Sequence, residues 1–406
     1  MAALRFGIAS ADITPPIGVF LCGYNPRRSE SVGHALRAEV LVCDSGAGAW
    51  ALVTADLLAV SNPLVQDVRA DAAKRTGLKP DAIMIAATHT HSGPNTFAVG
   101  WRELPEEVEY FRRLRTTLAD MIVAAWNARA PGELVHTRTT APEFGSNRRV
   151  QKPDGTWTNE WADPNGTHTG YFDPTVELLG LRRPDGTLES LLVAFGCHPV
   201  CFNSQNTAIS ADYPGHMKDA LEATGLVKTT MFAVTGHANV DPRHCVSNDP
   251  ALTKAQGEKL AAIVKAAIPS LKPVKTGAAA GTREPWDMTI AWSISGNSAS
   301  YFKLNQPGDI MHSEAGALGV GELAFVCMPG ETVSEFMKRF RAESPFGITI
   351  MLSVVNDFVG YLVTDAIIAE GAYETMMCPI RPSEAAVMQH GLAALNRIHT
   401  AITTTK

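Results

Sequence analysis

Five short apolar runs, each about the length of a buried strand and each ending abruptly in polar, metal-competent or Gly/Pro residues, constrain this chain more than any other feature. They are Trp50 to Thr54 before Asp56, Ala82 to Ala87 before His89, Leu191 to Phe195 before His198, Thr230 to Val234 before His237 and Asp241, and Leu323 to Met328 before Glu331. Where buried strands run parallel, their carboxyl ends share one edge and the loops beyond them pool side chains. Histidines and a glutamate far apart in sequence are thereby predicted to meet in one site.

Helical periodicity with fitting ends spans Asn62 to Thr76, Pro105 to Arg129, Ala251 to Ser270, Val333 to Ala342 and Pro382 to His399. Pro63, Pro105 and Pro382 fall at first helical turns, and Gly77 stands where a left-handed residue closes a helix. Strands and helices interleave, so the predicted class is α/β with mixed sheets flanked by helices, in one domain over residues 1–406. No internal repeat is visible. The turn-rich stretch Gln151 to Asp173 carries Asp-Gly and Asn-Gly signals around Trp157 and Trp161, and reads as a hairpin, either structural or a lid over a site. The loops Val99 to Leu104 and Trp292 to Met311, the latter with the polar run Ser293 to Ser298, are further candidates for pocket walls.

With 45% hydrophobic residues in 406, the chain can bury a large core. A net charge of −6 with scattered Lys and Arg gives no reason to expect nucleic acid or an anionic membrane as partner. No run reaches the roughly 18 apolar residues of a membrane span, and the first residues lack a charged segment followed by a sustained apolar one. A cytoplasmic protein is the resulting expectation. Seven cysteines, an odd number with several inside apolar runs, suit reduced core thiols better than a disulfide framework. A homo-oligomer is admissible, a dimer being the commonest outcome for a soluble enzyme.

His89 and His91 are one residue apart, so on an extended backbone both imidazoles project to one side, where one can bind metal while the other faces the same cavity. His198 lies between Cys197 and Cys201, but no second cysteine pair with zinc spacing is near, which favours His198 alone as a ligand. The two cysteines read as small apolar residues, with a reactive thiol as the alternative. Glu331 follows Met328-Pro329-Gly330. It either aims a carboxylate at the end of its strand or opens a helix as an N-terminal acid.

Taken in order, Thr88-His89-Thr90-His91-Ser92-Gly93-Pro94, Asn147-Arg148, His198-Pro199, Pro329-Gly330-Glu331 and Asn356-Asp357-Phe358-Val359-Gly360-Tyr361 resemble the signature blocks of the neutral/alkaline non-lysosomal ceramidase catalytic domain. The opening Ala11-Asp12-Ile13-Thr14-Pro15-Pro16, Gly23-Tyr24 and Asp173-Pro174 resemble it too. The resemblance implies one zinc ion held by His89, His198, Glu331 and Tyr361, with His91 either supporting a ligand from outside or acting as acid/base histidine. It implies that Arg148 points toward the substrate carbonyl or a neighbouring polar group. The long stretch that walls a lipid pocket in the family, and its C-terminal immunoglobulin-like domain, are not matched in these 406 residues, so a short member without them is the expectation. In place of the family's Gly-Asp-Val-Ser-Pro-Asn-like block stands Gly236-His237-Ala238-Asn239-Val240-Asp241. His237 and Asp241 therefore join Arg148 as candidate substrate contacts, although His237 also reads as a loop histidine satisfied by backbone.

The expected function is hydrolysis of an amide bond in a small, soluble molecule by a zinc-activated water. An esterase or lactonase with the same zinc, and a non-catalytic zinc-binding module on the same fold, are the alternatives. Manganese, iron or cobalt would suit the same donors.

Overall fold

A computed structural model describes residues 4–96, 104–293 and 306–404. The loop Val99 to Leu104 and the run Ser293 to Ser298 fall almost wholly outside these residues. Three sheets carry the structure, and one order of elements builds each of them. The first contains β1 (Arg5–Asp12), β2 (Arg37–Asp44), β3 (Ala49–Ala55), helix α1 (Asn62–Thr76), β4 (Ile83–Ala87) and helix α2 (Pro105–Asn127). The second contains β5 (Glu133–Thr140), β6 (Thr175–Arg182), β7 (Leu188–Phe195), α3 (Asp212–Glu222), β8 (Thr229–Val234) and α4 (Pro250–Ala267). The third contains β9 (Ala279–Thr289), β10 (Ile310–Val320), β11 (Leu323–Cys327), α5 (Glu335–Glu343), β12 (Ile348–Leu352) and α6 (Ser383–Thr404).

Within each sheet the first three strands pair antiparallel and the fourth joins the third in parallel. The parallel step needs a crossover, and α1, α3 and α5 supply it. Even the short strands Ala130–Pro131 and Lys272–Pro273 occupy matching places, each beside the first strand of its sheet. The absence of an internal repeat expected from the sequence is thus corrected at the level of topology. What recurs is a hydrophobic pattern and a connection, which many residue combinations satisfy, so no identity survives to be read.

Alternation along the strands explains how the sheets stack. Leu41, Trp50, Leu52 and Met84 of the first sheet, Leu179, Leu192 and Met231 of the second, and Leu318, Phe325 and Ile350 of the third share one buried cluster. The intervening residues, such as Val40, Val53 and Ile85 or Leu178, Val193 and Val234, face a second cluster with the helices. Successive residues of a strand point to opposite faces, and here both faces are covered. Among the described residues no helix is long and apolar enough to cross a membrane.

All five predicted apolar runs are strands, and all five predicted helices are present with ends within a few residues of expectation. The runs are parallel only in pairs, however, and are spread over three sheets. Main-chain bonds beyond the strand ends draw those pairs together: Ala87 N–H donates to Val354 O at 3.1 Å, Asn356 N–H to Ile85 O at 2.8 Å and Ser353 N–H to Val234 O at 3.0 Å. The predicted hairpin exists as well, Arg149–Gln151 pairing with Trp157–Asn159.

Candidate metal centre

Each donor stands just past the end of a third or fourth strand. His89 follows β4 in the left-handed region, φ 69°, so the extended backbone expected for His89 to His91 is not what aligns them. A non-glycine residue there costs about 1–2 kcal/mol. Its N–H bonds Leu57 O at 2.8 Å and its Nδ1 meets Leu58 O at 2.8 Å. The ring is therefore fixed with Nε2 turned to the cluster, and His91 Nε2 lies 3.4 Å from it. Gly23 makes room for His91: a side chain on Gly23, whose φ is +94°, would put Cβ 2.6 Å from the imidazole.

His198 and His237 sit on neighbouring parallel strands, each three residues beyond a paired end, Phe195 opposite Val234. Their ring centroids are 4.6 Å apart. Val240 O approaches His198 Nδ1 at 3.2 Å, and Thr235 O approaches His237 Nδ1 at 2.9 Å. Glu331 is not a helix-opening acid: it lies in a two-residue strand paired with Tyr361–Leu362, ahead of α5. Its Oε2 is 3.0 Å from His198 Nε2, 3.3 Å from His89 Nε2 and 3.7 Å from His237 Nε2. The four donor atoms of His89, His198, His237 and Glu331 all lie within 4.8 Å of one another, and all four residues are buried. Three imidazoles and a carboxylate suit a divalent transition ion such as zinc, iron or manganese. His237 Nε2, buried without a hydrogen-bond partner, is the kind of atom an ion would satisfy.

Burial would raise the Glu331 carboxyl, but His89 and the His198 hydrogen bond overcome it and hold the group well below the usual carboxylate range. Burial, with His89 and His198 adding to it, pushes the rings of His91 and His237 well below the ordinary histidine value. An unfolded chain takes up protons near pH ~6.5 that these folded rings refuse. The metal-free protein should therefore keep its full histidine contribution above about pH 6.5 and lose stability as pH falls below it. A urea midpoint lower at pH 5.5 than at pH 7.5 is the expected reading, and equal midpoints would count against it.

Arg148 is buried, and each of its three guanidinium nitrogens has a partner. Its Nε donates to Glu374 at 2.9 Å, Nη1 to Asp241 at 3.0 Å and Nη2 to the Tyr361 hydroxyl at 3.1 Å. Asp241, expected to touch substrate, spends one oxygen on Arg148 and lies 3.4 Å from His198 Nδ1. His237, expected beside the substrate or satisfied by backbone, has its Nδ1 on backbone and its Nε2 in the cluster. Cys197 and Cys201 are buried free thiols, and burial pushes them well above their ordinary range, which favours the apolar packing reading over a reactive thiol.

Two cavities meet over the cluster. One of ≈ 320 Å³ is lined by His89, His91 and Glu331, and one of ≈ 280 Å³ by Arg148, His198 and Trp161; Tyr24, Tyr361 and Tyr373 wall both. Trp161, inside the predicted turn-rich stretch and just beyond the observed hairpin, packs edge-on against Tyr373 at 5.3 Å and over the Arg148 guanidinium at 4.8 Å. Sequence reading missed Glu374 and Tyr373. They lie on a four-residue helix, Tyr373–Met376, too short to show periodicity.

Comparison with known proteins supplies a family and a fold. The family described as neutral/alkaline non-lysosomal ceramidase, N-terminal, matches residues 4–277. A neutral ceramidase of Pseudomonas aeruginosa is 26% identical over 266 aligned positions, which cover 59% of this chain and only 37% of that protein. A crystal structure of neutral ceramidase from Pseudomonas aeruginosa superposes with a TM-score of 0.79 at 18% identity, covering 97% of this chain and 75% of that one. A ceramidase complexed with C2 superposes with a TM-score of 0.80, also at 18% identity, over 98% of this chain and 76% of that one. At that identity the superpositions speak for the fold, and they extend it past residue 277 to Glu331 and Tyr361. The chain belongs to the neutral/alkaline non-lysosomal ceramidase family.

Proposed function

We propose that this protein is a metal-dependent hydrolase that cleaves an amide bond in a small, soluble molecule. The observation that carries the reading is the buried histidine and glutamate cluster opening onto cavities walled by tyrosines, with His91 beside it. A divalent ion bound there, zinc being the first choice, would supply an acidified water near neutral pH and polarise the scissile carbonyl. His91, kept neutral by burial, takes a proton at Nε2 and returns it to the leaving amine. The Tyr361 hydroxyl, oriented by Arg148, faces the carbonyl oxygen and offsets its developing charge. Arg148 acts by holding Tyr361 through Nη2, while its Nε and Nη1 are bonded to Glu374 and Asp241. The adjoining cavities of ≈ 320 and ≈ 280 Å³ together fall within the ~300–1,000 Å³ usual for ligand sites, which supports a small-molecule substrate.

Metal content measured by mass spectrometry on untagged protein, followed by a panel of amides, esters and lactones, tests the proposal. About one ion per chain with turnover of amides supports it, whereas ester-only turnover reassigns the bond cleaved. His91→Ala should keep the ion and lower kcat by about 10²–10⁴-fold, the usual worth of a positioned acid/base group. Unchanged kcat would remove His91 from that role.

A further inference from the structure

We propose that Trp161 sets the substrate preference of the site. It closes the cavity of ≈ 280 Å³ as a fixed aromatic wall, and the substrate group that fits there is neutral and aromatic. The assignment rests on the amide-hydrolase reading above and names the kind of amide.

From sequence, Gln151 to Asp173 reads as either a structural hairpin or a lid, and the bonds around Trp161 favour a wall. Asn159 donates through Nδ2 to Glu374 at 2.7 Å and accepts the Tyr373 N–H at 3.1 Å. Glu160 N–H donates to Arg148 O at 2.8 Å, and Asp163 N–H donates to Arg243 O at 3.0 Å. Between them, Trp161 O accepts from the Cys245 thiol at 2.9 Å. The main chain that carries the indole cannot swing away without breaking these bonds together. The ring itself rests on Tyr373 and on the Arg148 guanidinium, yet Trp161 remains 41% exposed. A large aromatic surface is thereby left uncovered on a cavity that also reaches His91 and His198, where a ligand would cover it.

Val246 lines the same cavity and supplies an independent sign of a ligand site. Its φ of 53° lies in the left-handed region, which a β-branched residue rarely adopts. Its N–H bonds Val200 O at 2.9 Å, and Val200 is also part of the wall. Backbone strain of this sort clusters where side chains are held ready for a ligand.

The charged side chains of the cavity, Arg148 and Asp241, are bonded to each other at 3.0 Å. A charged substituent would be stripped of water there without gaining an opposite charge of its own. Tyr24, Tyr361 and Tyr373 stand around the cavity with Trp161. A ring among them makes edge-to-face contacts, each worth a preference of about 2–10-fold beyond the area buried. A linear chain with the same number of carbons gains only buried area, and being longer it meets the indole.

The test compares kcat/KM for two carbon-matched pairs. N-(2-phenylethyl)acetamide against N-octylacetamide puts the group on the amine, and N-methylphenylacetamide against N-methyloctanamide puts it on the acyl side. Wild type should favour the ring by about 10-fold or more in one pair, which also tells which side of the bond reaches the cavity. Trp161→Leu keeps bulk without a ring and should lower that preference by about 2–10-fold, whereas Trp161→Ala should invert it by admitting the octyl chain. Binding of 2-phenylethanol and 1-octanol, which carry no amide, is read alongside by saturation-transfer NMR. Amide turnover without ring preference, or with a preference that both folded variants retain, overturns the assignment and leaves the hydrolase reading standing. Ring-selective binding that Trp161→Leu weakens, in a chain that turns over no amide, overturns the hydrolase reading and supports the aromatic cavity. Neither turnover nor ring-selective binding overturns both.

Discussion

Glu331→Ala is expected to release the metal and abolish hydrolysis together. Among the described residues Glu331 is the one carboxylate in a cluster whose other donors are imidazoles, and its Oε2 lies within 3.7 Å of all three. Removing it takes away both a ligand and the charge that balances a divalent ion. Affinity should fall by more than about 100-fold. Turnover should fall by about 10³-fold or more, because Lewis-acid catalysis contributes several kcal/mol and each ~1.4 kcal/mol is a factor of ten. Metal content of untagged variant and wild type, measured beside turnover at saturating Zn²⁺, checks both. A variant that keeps its ion yet loses turnover would make Glu331 a general base instead. One that keeps both would remove the cluster from the chemistry.

Arg148→Met should damage the fold as well as the reaction. The wild-type guanidinium lies between Asp241 and Glu374, both buried, and Glu374 stays ionised below its ordinary range because Arg148 and Arg149 offset its burial. Glu374 would keep Arg149 at 2.7 Å, but Asp241 would lose its arginine. Breaking a buried pair from one side costs about 3–5 kcal/mol. The urea midpoint should drop accordingly, and kcat should fall further than stability explains because Tyr361 loses its anchor. Arg148→Lys separates the effects: it restores a charge but not the planar fork, so it should recover stability more than turnover. Equal recovery of the two would show that Arg148 only balances charge.

How much of this was legible in the sequence depended on whether a signal was local. Strands β3, β4, β7, β8 and β11 are buried along nearly their whole length, so each is a continuous apolar run and each was readable. Strands β1 and β5 are half-exposed and mixed in character, and neither stood out. Helix α3 went unseen because Pro214 and Gly215 interrupt its first turns and its buried face includes Asp212 and Lys218 in place of an apolar stripe. Lys218 is tolerated there by Glu39 and Asp56 at 2.8–2.9 Å, partners from the neighbouring sheet that no local pattern reveals. His89, His198, His237 and Glu331 were readable as strand-end residues. That His237 joins the other donors was not, because it depends on the parallel register of β7 and β8.

The donors come from all three sheets: His89 from the first, His198 and His237 from the second, Glu331 from the third. No single unit holds enough of them to grip an ion. A bound metal would therefore behave as a clasp that fastens only when the whole chain has assembled, and its binding energy would be shared among contacts that no one unit makes alone. The ion then doubles as a reporter of complete folding. Nascent or nicked chains lacking the third unit would carry three imidazoles and no carboxylate, and they would be marked as unfinished by their failure to retain it.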